Sequence, residues 1–285
     1  SQVTTPPQPT SASNPSFTEA IRHRGGKRDA SLSSDQHHHS LAASTAPTMA
    51  DDAAMAPLAS LSLTHVYYDP DDPVSLLCAY LALLPQALCV VYATLIFSTR
   101  EAEIALAFAG QLACEALNFA LKRLIKEERP RRIHGKGYGM PSSHAQFVAF
   151  WSLSLALFLL VRHRPRAAGS AGKHHRPWSL AERVAVSLAG AAVAAATAWS
   201  RTYLDYHTPR QVLVGSAAGL VSAVGWFLAT SILRRSGLLA WALDTPLARA
   251  FRVRDLVVEE DMCQAGWEKW EERRTAASQG KAKTS

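Results

Sequence analysis

The sequence has 285 residues, of which 48% are hydrophobic, and a formal net charge of +7. These averages fit one ordinary soluble domain, but apolar and polar residues are strongly segregated along the chain, so the overall composition is misleading. The cysteines exclude a disulfide framework, because Cys78, Cys89 and Cys114 lie inside apolar runs and only Cys263 lies outside them.

Residues 1–60 are rich in Ser, Ala, Thr, Pro and Gln and contain almost no aromatic residues. Such a stretch cannot bury enough apolar surface to offset the entropy of ordering, so we expect a disordered tail. His37, His38 and His39 within it are compatible with a metal site. Three adjacent histidines without other ligands are more often a solvated run, and we assign them no function.

Five apolar runs follow, and each is close to the length that crosses a hydrocarbon layer of ~30 Å. The first is interrupted only by small or weakly polar residues and Pro85, and Glu101 and Glu103 mark a very short turn after it. The third and fourth are short, so we expect their helices to extend into the flanking polar residues. A buried soluble helical bundle is the alternative, but compact basic loops between five such runs favour membrane spans. The predicted spans are 74–98, 104–121, 145–161, 184–199 and 212–233.

One face of the second run is polar. Glu115, Asn118 and Lys122 recur at i, i+3 and i+7, so they share a helix face that must point away from lipid. This face leads toward the basic stretch that follows it. It either orients Lys122 as an internal brace or fixes helix packing through a polar contact.

A basic, glycine-rich and polar stretch, residues 122–144, separates the second and third runs, and a second polar group interrupts the chain after the fourth run. Guanidinium groups match phosphate oxygens in pairs, a helix N-terminus offers free N–H groups, and imidazole acts as nucleophile or acid near neutral pH. Together these groups indicate a site that holds a phosphate and transfers it. The residues concerned are Lys122, Arg129-Pro130, Pro141-Ser142-Ser143-His144, Ser200-Arg201 and His207.

Helix capping explains part of the same pattern. Thr208-Pro209-Arg210-Gln211 is a good helix-start sequence for the fifth run, and Ser143-x-x-Gln146 is typical of a capping box for the third. Capping accounts for the hydroxyl residues but not for His144 or His207. A histidine at the end of a membrane helix gains little as a core residue, which favours His207 as a nucleophile.

The three groups resemble the three-part signature of the phosphatidic-acid-phosphatase type 2 superfamily. The segments 140–147 (MPSSHAQF) and 200–208 (SRTYLDYHT) are similar to its dolichyl-diphosphatase branch. Three ordered parts with fixed internal spacing are a strong signal. The resemblance spans residues 63 to 235 and implies an all-α, polytopic membrane helical bundle with about five transmembrane helices. The three parts are Lys122-x6-Arg129-Pro130, Pro141-Ser142-Ser143-His144 and Ser200-Arg201-x5-His207.

The resemblance also implies a role for each site residue. His207 attacks phosphorus to form a phosphohistidine, and His144 protonates the departing oxygen and then helps water to release phosphate. The residues that hold the phosphate oxygens are Lys122, Arg129, Ser142, Ser143 through its backbone N–H, and Arg201.

This chain departs from the common superfamily pattern at two positions. Ser143 replaces a glycine, a change that leaves the backbone donor in place. Gln211 replaces an aspartate that orients the nucleophilic histidine. An amide oxygen still accepts from the imidazole N–H, but it does not stabilise positive charge on the ring. The dolichyl-diphosphatase branch resembles this chain in that respect, so we interpret Gln211 as a branch feature.

The function implied is hydrolysis of dolichyl diphosphate to dolichyl monophosphate and phosphate, which recycles the lipid carrier for protein N-glycosylation. The expected partners are a polyisoprenyl diphosphate lipid and the bilayer, with no nucleic acid. No carboxylate cluster accompanies the motifs, so we predict a reaction without a metal or other cofactor. Two alternatives stay open: a broad-specificity lipid-phosphate phosphatase, and a catalytically silent lipid-binding scaffold disabled at Gln211. Retention of both histidines and both motif arginines argues against the scaffold.

The motif positions place every site group on one side of the membrane. The opposite side is basic and is cytosolic by the positive-inside rule, which puts the site and the N-terminal tail in the lumen of the endoplasmic reticulum. The basic residues are Arg162, Arg164, Arg166, Lys173, Arg176 and Arg183 in one loop and Arg234-Arg235 after the last span.

Beyond the last span, residues 237–243 are too few to cross a membrane and predict an interfacial segment. Residues 255–274 mix charges with Trp267 and Trp270, which favours a peripheral helix on the cytosolic surface over a loosely ordered tail. The predicted domains are the tail at 1–60, a membrane phosphatase domain at 61–236, and a C-terminal interfacial helix and tail at 237–285.

Overall fold

The structure, a computed structural model, describes residues 59–61, 66–130, 137–164 and 178–284. The predicted tail lies outside the described residues except for its last two, which belong to a short strand. His37, His38 and His39 lie outside them as well, and so do three of the basic loop residues, Arg166, Lys173 and Arg176.

The described chain begins with a short antiparallel hairpin, in which Ala59 is opposite Tyr68, and continues as helices. The elements are β1 Ala59–Leu61, β2 Val66–Tyr68, α1 Pro73–Leu81, α2 Leu84–Thr99, α3 Ala102–Ile125, α4 Ser143–Leu157, a π-helical turn Phe158–Arg162, α5 Leu180–Tyr203, α6 Pro209–Arg235, α7 Leu238–Leu243, α8 Pro246–Ala250 and α9 Met262–Thr284.

Within the described residues, five helical segments are long and apolar enough to cross a membrane: Pro73–Thr99, Ala102–Ile125, Ser143–Arg162, Leu180–Tyr203 and Pro209–Arg235. Large apolar side chains on them point outward, with Phe97 75% exposed, Leu124 78% and Val221 73%. A surface of this kind suits acyl chains rather than water. The predicted all-α, polytopic membrane bundle is confirmed.

The helix ends refine the predicted spans. The first span is broken into α1 and α2, because Pro85 has no N–H to donate to a carbonyl of the preceding turn. The fourth helix begins at Leu180, capped by Ser179, and the third continues to Arg162, so their predicted extension is confirmed. Glu103, predicted to lie in a turn, is a buried residue of the first turn of α3.

Helix α4 is the centre of the bundle, since it packs against α3, α5 and α6. Two glycines of α6 allow a close approach. A Cβ added at Gly215 would lie 2.6 Å from the carbonyl oxygen of Ser142, and one added at Gly219 would lie 2.3 Å from that of Gln146. Small residues four positions apart favour such packing of membrane helices. The contact brings the first turns of α4 and α6 together, where the Ser142 N–H donates to the Gln211 carbonyl over 3.1 Å.

Buried amide side chains join α3 to α4. Asn118 Nδ2 donates to Gln146 Oε1 at 2.8 Å, and Gln146 Nε2 donates to the Cys114 carbonyl at 2.9 Å. Gln111 Nε2 donates to the Phe147 carbonyl at 3.2 Å. The polar face of the second span therefore faces α4, and Asn118 makes a contact that fixes helix packing.

A cluster of ion pairs closes the other end of the bundle. Glu103 accepts from Arg162 at 2.6 Å and from Arg234 at 2.5 Å, and Arg234 also pairs with Asp255. Glu101 beside them is fully buried and pairs with Arg254. The cluster ties the start of α3 to the ends of the third and fifth spans and to the segment after α8.

The C-terminal helix starts later than predicted. Helix α9 begins at Met262, because Asp255 is held against Arg234 rather than within a helix. Trp267 and Trp270 on α9 are exposed and pack on each other with 4.8 Å between ring centroids. The short helix α7 occupies the segment 237–243 predicted to be too short to cross, and α8 follows it.

We expect Gly219→Ala to lower stability by roughly 1–3 kcal/mol, because the added Cβ overlaps the Gln146 carbonyl and forces α4 and α6 apart. Gly225→Ala on the same helix is the matched control: its Cβ meets nothing within 4 Å, and alanine is the better helix former. Thermal unfolding of both variants in detergent measures the difference. Equal stability of the two variants would contradict the packing argument.

Candidate active site

Four helix ends meet at the end of the bundle opposite the ion-pair cluster. Lys122 in the last turn of α3 donates from Nζ to Ser143 Oγ, at 3.4 Å, on the first turn of α4. After α5, the chain turns back so that the His207 N–H donates to the Arg201 carbonyl at 3.1 Å. The residues singled out in the sequence on α3, α4, α5 and α6 thus share one site.

The first turn of α4 supplies donors to this site. Ser142 is the N-cap residue of α4, and its side chain makes no capping bond. The predicted capping box of Ser143 and Gln146 is therefore wrong, because the Gln146 amide is used in packing against α3. Ser142 Oγ is buried and has no hydrogen-bond partner within the described residues. Such a hydroxyl beside the free N–H groups of a helix start fits an anion.

Arg201 supplies a buried positive charge. Its side chain is 2% exposed, and Nε and Nη1 find no hydrogen-bond partner in the described parts of the chain. The guanidinium lies over the Tyr206 ring, 4.3 Å from the centroid, and the Tyr206 hydroxyl accepts from the Tyr67 N–H at 2.8 Å. A buried guanidinium with open donors is stabilised when an anion completes its hydrogen bonds, so Arg201 fits a phosphate oxygen.

Helix α6 begins with the capping box predicted from the sequence. Thr208 Oγ1 accepts from the Gln211 N–H at 3.2 Å, and Gln211 Oε1 accepts from the Thr208 N–H at 3.3 Å. This reciprocal pair holds the Gln211 side chain at the helix start, where it also reaches His207. Capping and contact with His207 are therefore two functions of one amide.

The neighbours of Gln211 determine which ring nitrogen of His207 carries a hydrogen. Gln211 Nε2 donates to Glu127 Oε1 and to the Glu128 carbonyl, each at 2.9 Å, and both partners accept. Gln211 Oε1 therefore faces the Thr208 N–H and His207 Nδ1, the latter at 3.2 Å. An amide oxygen only accepts, so Nδ1 of His207 carries the hydrogen. Nε2 is left with a lone pair that can attack phosphorus.

His144 has a partner outside the motifs. Its Nε2 lies 3.0 Å from the Ala82 carbonyl oxygen, and because a carbonyl only accepts, this nitrogen donates and Nδ1 is the basic one. Ala82 lies at the break between α1 and α2. The contact therefore sets the orientation and tautomer of His144.

Two of these contacts were missed by sequence reasoning. The sequence contains an indirect signal for the Ala82 carbonyl, because Pro85 interrupts the first span three residues later. The Glu127 carboxylate lies inside the Lys122-x6-Arg129 spacing, where only the two end residues and Pro130 belong to the motif. No local pattern indicates that its side chain meets Gln211.

The surroundings of His207 keep its imidazole neutral. Burial and the positive charges of Arg129, Arg201 and Lys122 lower its pKa from 6.5 to about 3, against the opposing effect of the bond with Gln211. The ring is therefore neutral near pH 7. A neutral imidazole with a free Nε2 among three cations suits attack on an anionic phosphate.

The donor set of the site is cationic and hydroxylic, which matches a phosphate rather than a metal ion. Within the described residues, no group of three His, Cys, Asp or Glu side chains is placed to hold a metal. Reaction without a metal stays a prediction, as do the individual catalytic roles. The site residues that the structure brings together are Lys122, Arg129, Ser142, Ser143, His144, Arg201, His207 and Gln211.

We expect Arg129→Gln to raise the pKa of His207, because Arg129 is the charge that most disfavours the imidazolium. Nitrogen-15 NMR of histidine-labelled protein in detergent, titrated from about pH 3 to 8, measures the shift. The His207 signals are assigned by their loss in His207→Ala. Arg123→Gln removes the same charge from an exposed position on α3 and should leave the pKa unchanged. An equal rise in both variants would contradict the expectation.

Comparisons with known proteins identify the family of this chain. The sequence profile of the PAP2 superfamily matches residues 103–235, which contain every predicted site residue. A Neurospora crassa protein, named only provisionally as a dolichyldiphosphatase, is 59% identical over 273 residues, covering 80% of this chain and 96% of that protein.

More distant relatives carry the same name. Human dolichyldiphosphatase 1 is 38% identical over 204 residues, covering 68% of this chain and 81% of its own. The Saccharomyces cerevisiae dolichyldiphosphatase is 31% identical over 203 residues, covering 67% and 79%. No solved structure gives a significant match. The chain therefore belongs to the PAP2 superfamily, in the family of the dolichyldiphosphatases.

Proposed function

We propose that the protein hydrolyses dolichyl diphosphate to dolichyl monophosphate and phosphate. The observation that carries the proposal is the neutral His207 imidazole, whose Nε2 is free to attack and whose ring lies among the charges of Lys122, Arg129 and Arg201. These groups select an anionic phosphate at the end of a membrane bundle. The names of the relatives supply the lipid.

In the proposed reaction the terminal phosphate lies between the helix starts. Lys122, Arg129 and Arg201 hold its non-bridging oxygens through charge-assisted hydrogen bonds. The Ser142 hydroxyl and the backbone N–H of Ser143 complete the cradle, and their contribution grows as charge develops on the transferring group. The unpartnered donors of Arg201 and the unpartnered hydroxyl of Ser142, described above, support this assignment.

The first chemical step transfers the terminal phosphoryl group to the protein. His207 Nε2 attacks the terminal phosphorus, the bond from phosphorus to the bridging oxygen breaks, and dolichyl monophosphate departs with a proton from His144. The product on the protein is a phosphohistidine at Nε2, with Nδ1 still donating to Gln211. Its ring carries a positive charge while both nitrogens are substituted.

The second step releases phosphate. Water attacks the phosphorus of the phosphohistidine, His144 removes a proton from this water, and the phosphorus–nitrogen bond breaks to return the electron pair to His207 Nε2. His144 is then protonated again for the next cycle, which requires the same residue to act as acid and then as base.

We also propose that the protein acts in the endoplasmic reticulum membrane with its site facing the lumen, where it recycles the lipid carrier for protein N-glycosylation. The support is the basic loop between the third and fourth spans. Arg162 and Arg234 on the same side are paired with Glu103, but acidic residues contribute little to the positive-inside rule. The site side is basic as well, in residues 122–144, but phosphate binding is a competing explanation for those charges.

The substrate test uses purified protein in detergent with a chelator present. We expect phosphate release from dolichyl diphosphate to be faster than from dolichyl monophosphate or phosphatidate, because the leaving group of the diphosphate is a stabilised phosphate monoester anion rather than an alkoxide. His207→Ala should abolish turnover and also the acid-labile label left by substrate carrying a labelled terminal phosphate. His163→Ala, at a buried histidine in the opposite end of the bundle, is the control and should keep turnover.

The outcomes separate the alternatives. Equal rates on phosphatidate would favour a broad lipid-phosphate phosphatase, and no release from any lipid would favour a scaffold. A strict requirement for added magnesium would overturn the histidine mechanism, and unchanged turnover in His207→Ala would overturn the nucleophile.

The sidedness test uses trypsin added outside intact microsomes. We expect cleavage in the loop between Arg164 and Trp178, because the proposed orientation places that loop in the cytosol. The segment between Pro130 and Gly137 should be cut only after the membranes are permeabilised. Mass spectrometry of the fragments identifies the cleaved sites, and the reverse pattern would show that the orientation is inverted.

A further inference from the structure

The Gln211 amide connects His207 to a carboxylate that lies outside the superfamily motifs. Gln211 Oε1 is 3.2 Å from His207 Nδ1, and Gln211 Nε2 donates to Glu127 Oε1 at 2.9 Å. Gln211 and His207 are buried and Glu127 is partly buried, so the part of this chain of hydrogen bonds next to the imidazole is shielded from water. It runs from a carboxylate through an amide to the imidazole.

The amide in the middle of this chain has little freedom to move. Gly139 lies against it, since an added Cβ there would be 2.9 Å from both Gln211 Nε2 and Gln211 Oε1. The Gly139 N–H donates to the Glu127 backbone carbonyl at 2.7 Å. This bond holds the backbone before α4 next to Glu127. The Gln211 amide therefore keeps its nitrogen toward Glu127 and its oxygen toward His207.

We propose that Glu127 is a positioning residue for the nucleophile, acting through Gln211 to stabilise the positive charge that His207 gains when its Nε2 bonds to phosphorus. The inference rests on the proposed function. In the common superfamily pattern an aspartate occupies the position of Gln211. Here the negative charge is on Glu127, one side chain further from the ring, and it acts on the ring through the hydrogen-bonded Gln211 amide.

Glu127 contacts the Gln211 amide through its charged carboxylate, whereas Glu128 contacts the same amide through its backbone carbonyl. The second Nε2 hydrogen of Gln211 goes to the Glu128 backbone carbonyl at 2.9 Å, and the Thr208 N–H holds the amide oxygen. These two backbone contacts keep the amide oriented when the Glu127 side chain changes. What the backbone cannot supply is a full negative charge in a site of low dielectric, where charges interact strongly.

The chain offers a matched control one residue away. Glu128→Gln removes the same charge at an exposed position and keeps the backbone carbonyl through which Glu128 accepts from Gln211. Glu127→Gln keeps an acceptor for the Gln211 amide but removes the charge. Glu127→Asp keeps the charge on a shorter side chain and tests for rescue.

The first measurement is kcat and KM for dolichyl diphosphate. We expect Glu127→Gln to lower kcat about 10- to 100-fold, the range typical of groups that orient a reacting residue from behind, with KM within about twofold of the wild type. Glu128→Gln should stay within about twofold in both constants, and Glu127→Asp should recover part of the loss. A loss confined to KM would indicate a role in substrate binding instead and would overturn the proposal.

The second measurement does not depend on the lipid. Orthovanadate mimics a transferring phosphoryl group when an imidazole nitrogen binds to vanadium, and its affinity for the purified protein is measured by calorimetry. We expect Glu127→Gln to weaken vanadate binding about 10-fold or more and Glu128→Gln to leave it unchanged. If the wild type binds vanadate in this way but releases no phosphate from dolichyl diphosphate, the proposed substrate fails and the role of Glu127 stands.

Folding is checked by size-exclusion chromatography and thermal unfolding of each variant. If Glu127→Gln gives no folded protein, Glu127→Ala replaces it, and we expect at least the same loss of kcat and of vanadate affinity. Wild-type kcat and vanadate affinity in a folded Glu127 variant without the carboxylate would overturn the inference and leave the proposed function intact. An equal loss in Glu128→Gln would also overturn it, because the effect would then be one of overall charge.

Discussion

The close contact between α4 and α6 is the constraint on which the site depends. Gly215 and Gly219 let the α6 backbone meet the α4 backbone, and the Ser142 N–H then reaches the Gln211 carbonyl across the two helix starts. His144 begins one helix and His207 precedes the other, so the same contact brings the two candidate catalytic residues to one place. Two helix N-termini at one point also concentrate free N–H groups and positive dipole ends, which suits a phosphate.

Buried polar groups are hydrogen-bonded to different degrees at the two ends of the bundle. In a membrane each buried polar group needs a partner, and at the end of the bundle away from the site the ion pairs around Glu103 meet most of this need, although Arg183 Nε and Arg234 Nε have no partner within the described residues. At the site end, the Ser142 hydroxyl and two nitrogens of Arg201 stay without a partner within the described residues. Unsatisfied groups of this kind are costly in a core and useful in a site, because a ligand completes them.

The sequence by itself determined the all-helical, five-span architecture, and it also supplied the candidate residues of the site. The length of an apolar run and the spacing within a motif are local properties, so both can be identified without a structure. The same holds for the capping box of Thr208 and Gln211. Local reasoning failed for Ser143 and Gln146, because a serine three residues before a glutamine looks the same whether the amide caps its own helix or accepts a hydrogen bond from Asn118 on α3.

Only the tertiary structure decided how the histidines are held. His144 meets the Ala82 carbonyl 62 positions away, and Gln211 meets the Glu127 carboxylate 84 positions away. Contacts across such separations depend on how whole helices pack and where α1 breaks, which no short pattern encodes. The sequence alone identified Gln211 as a neutral replacement for an aspartate. Packing decided that its amide nitrogen faces two acceptors, and therefore that its oxygen leaves Nε2 of His207 free.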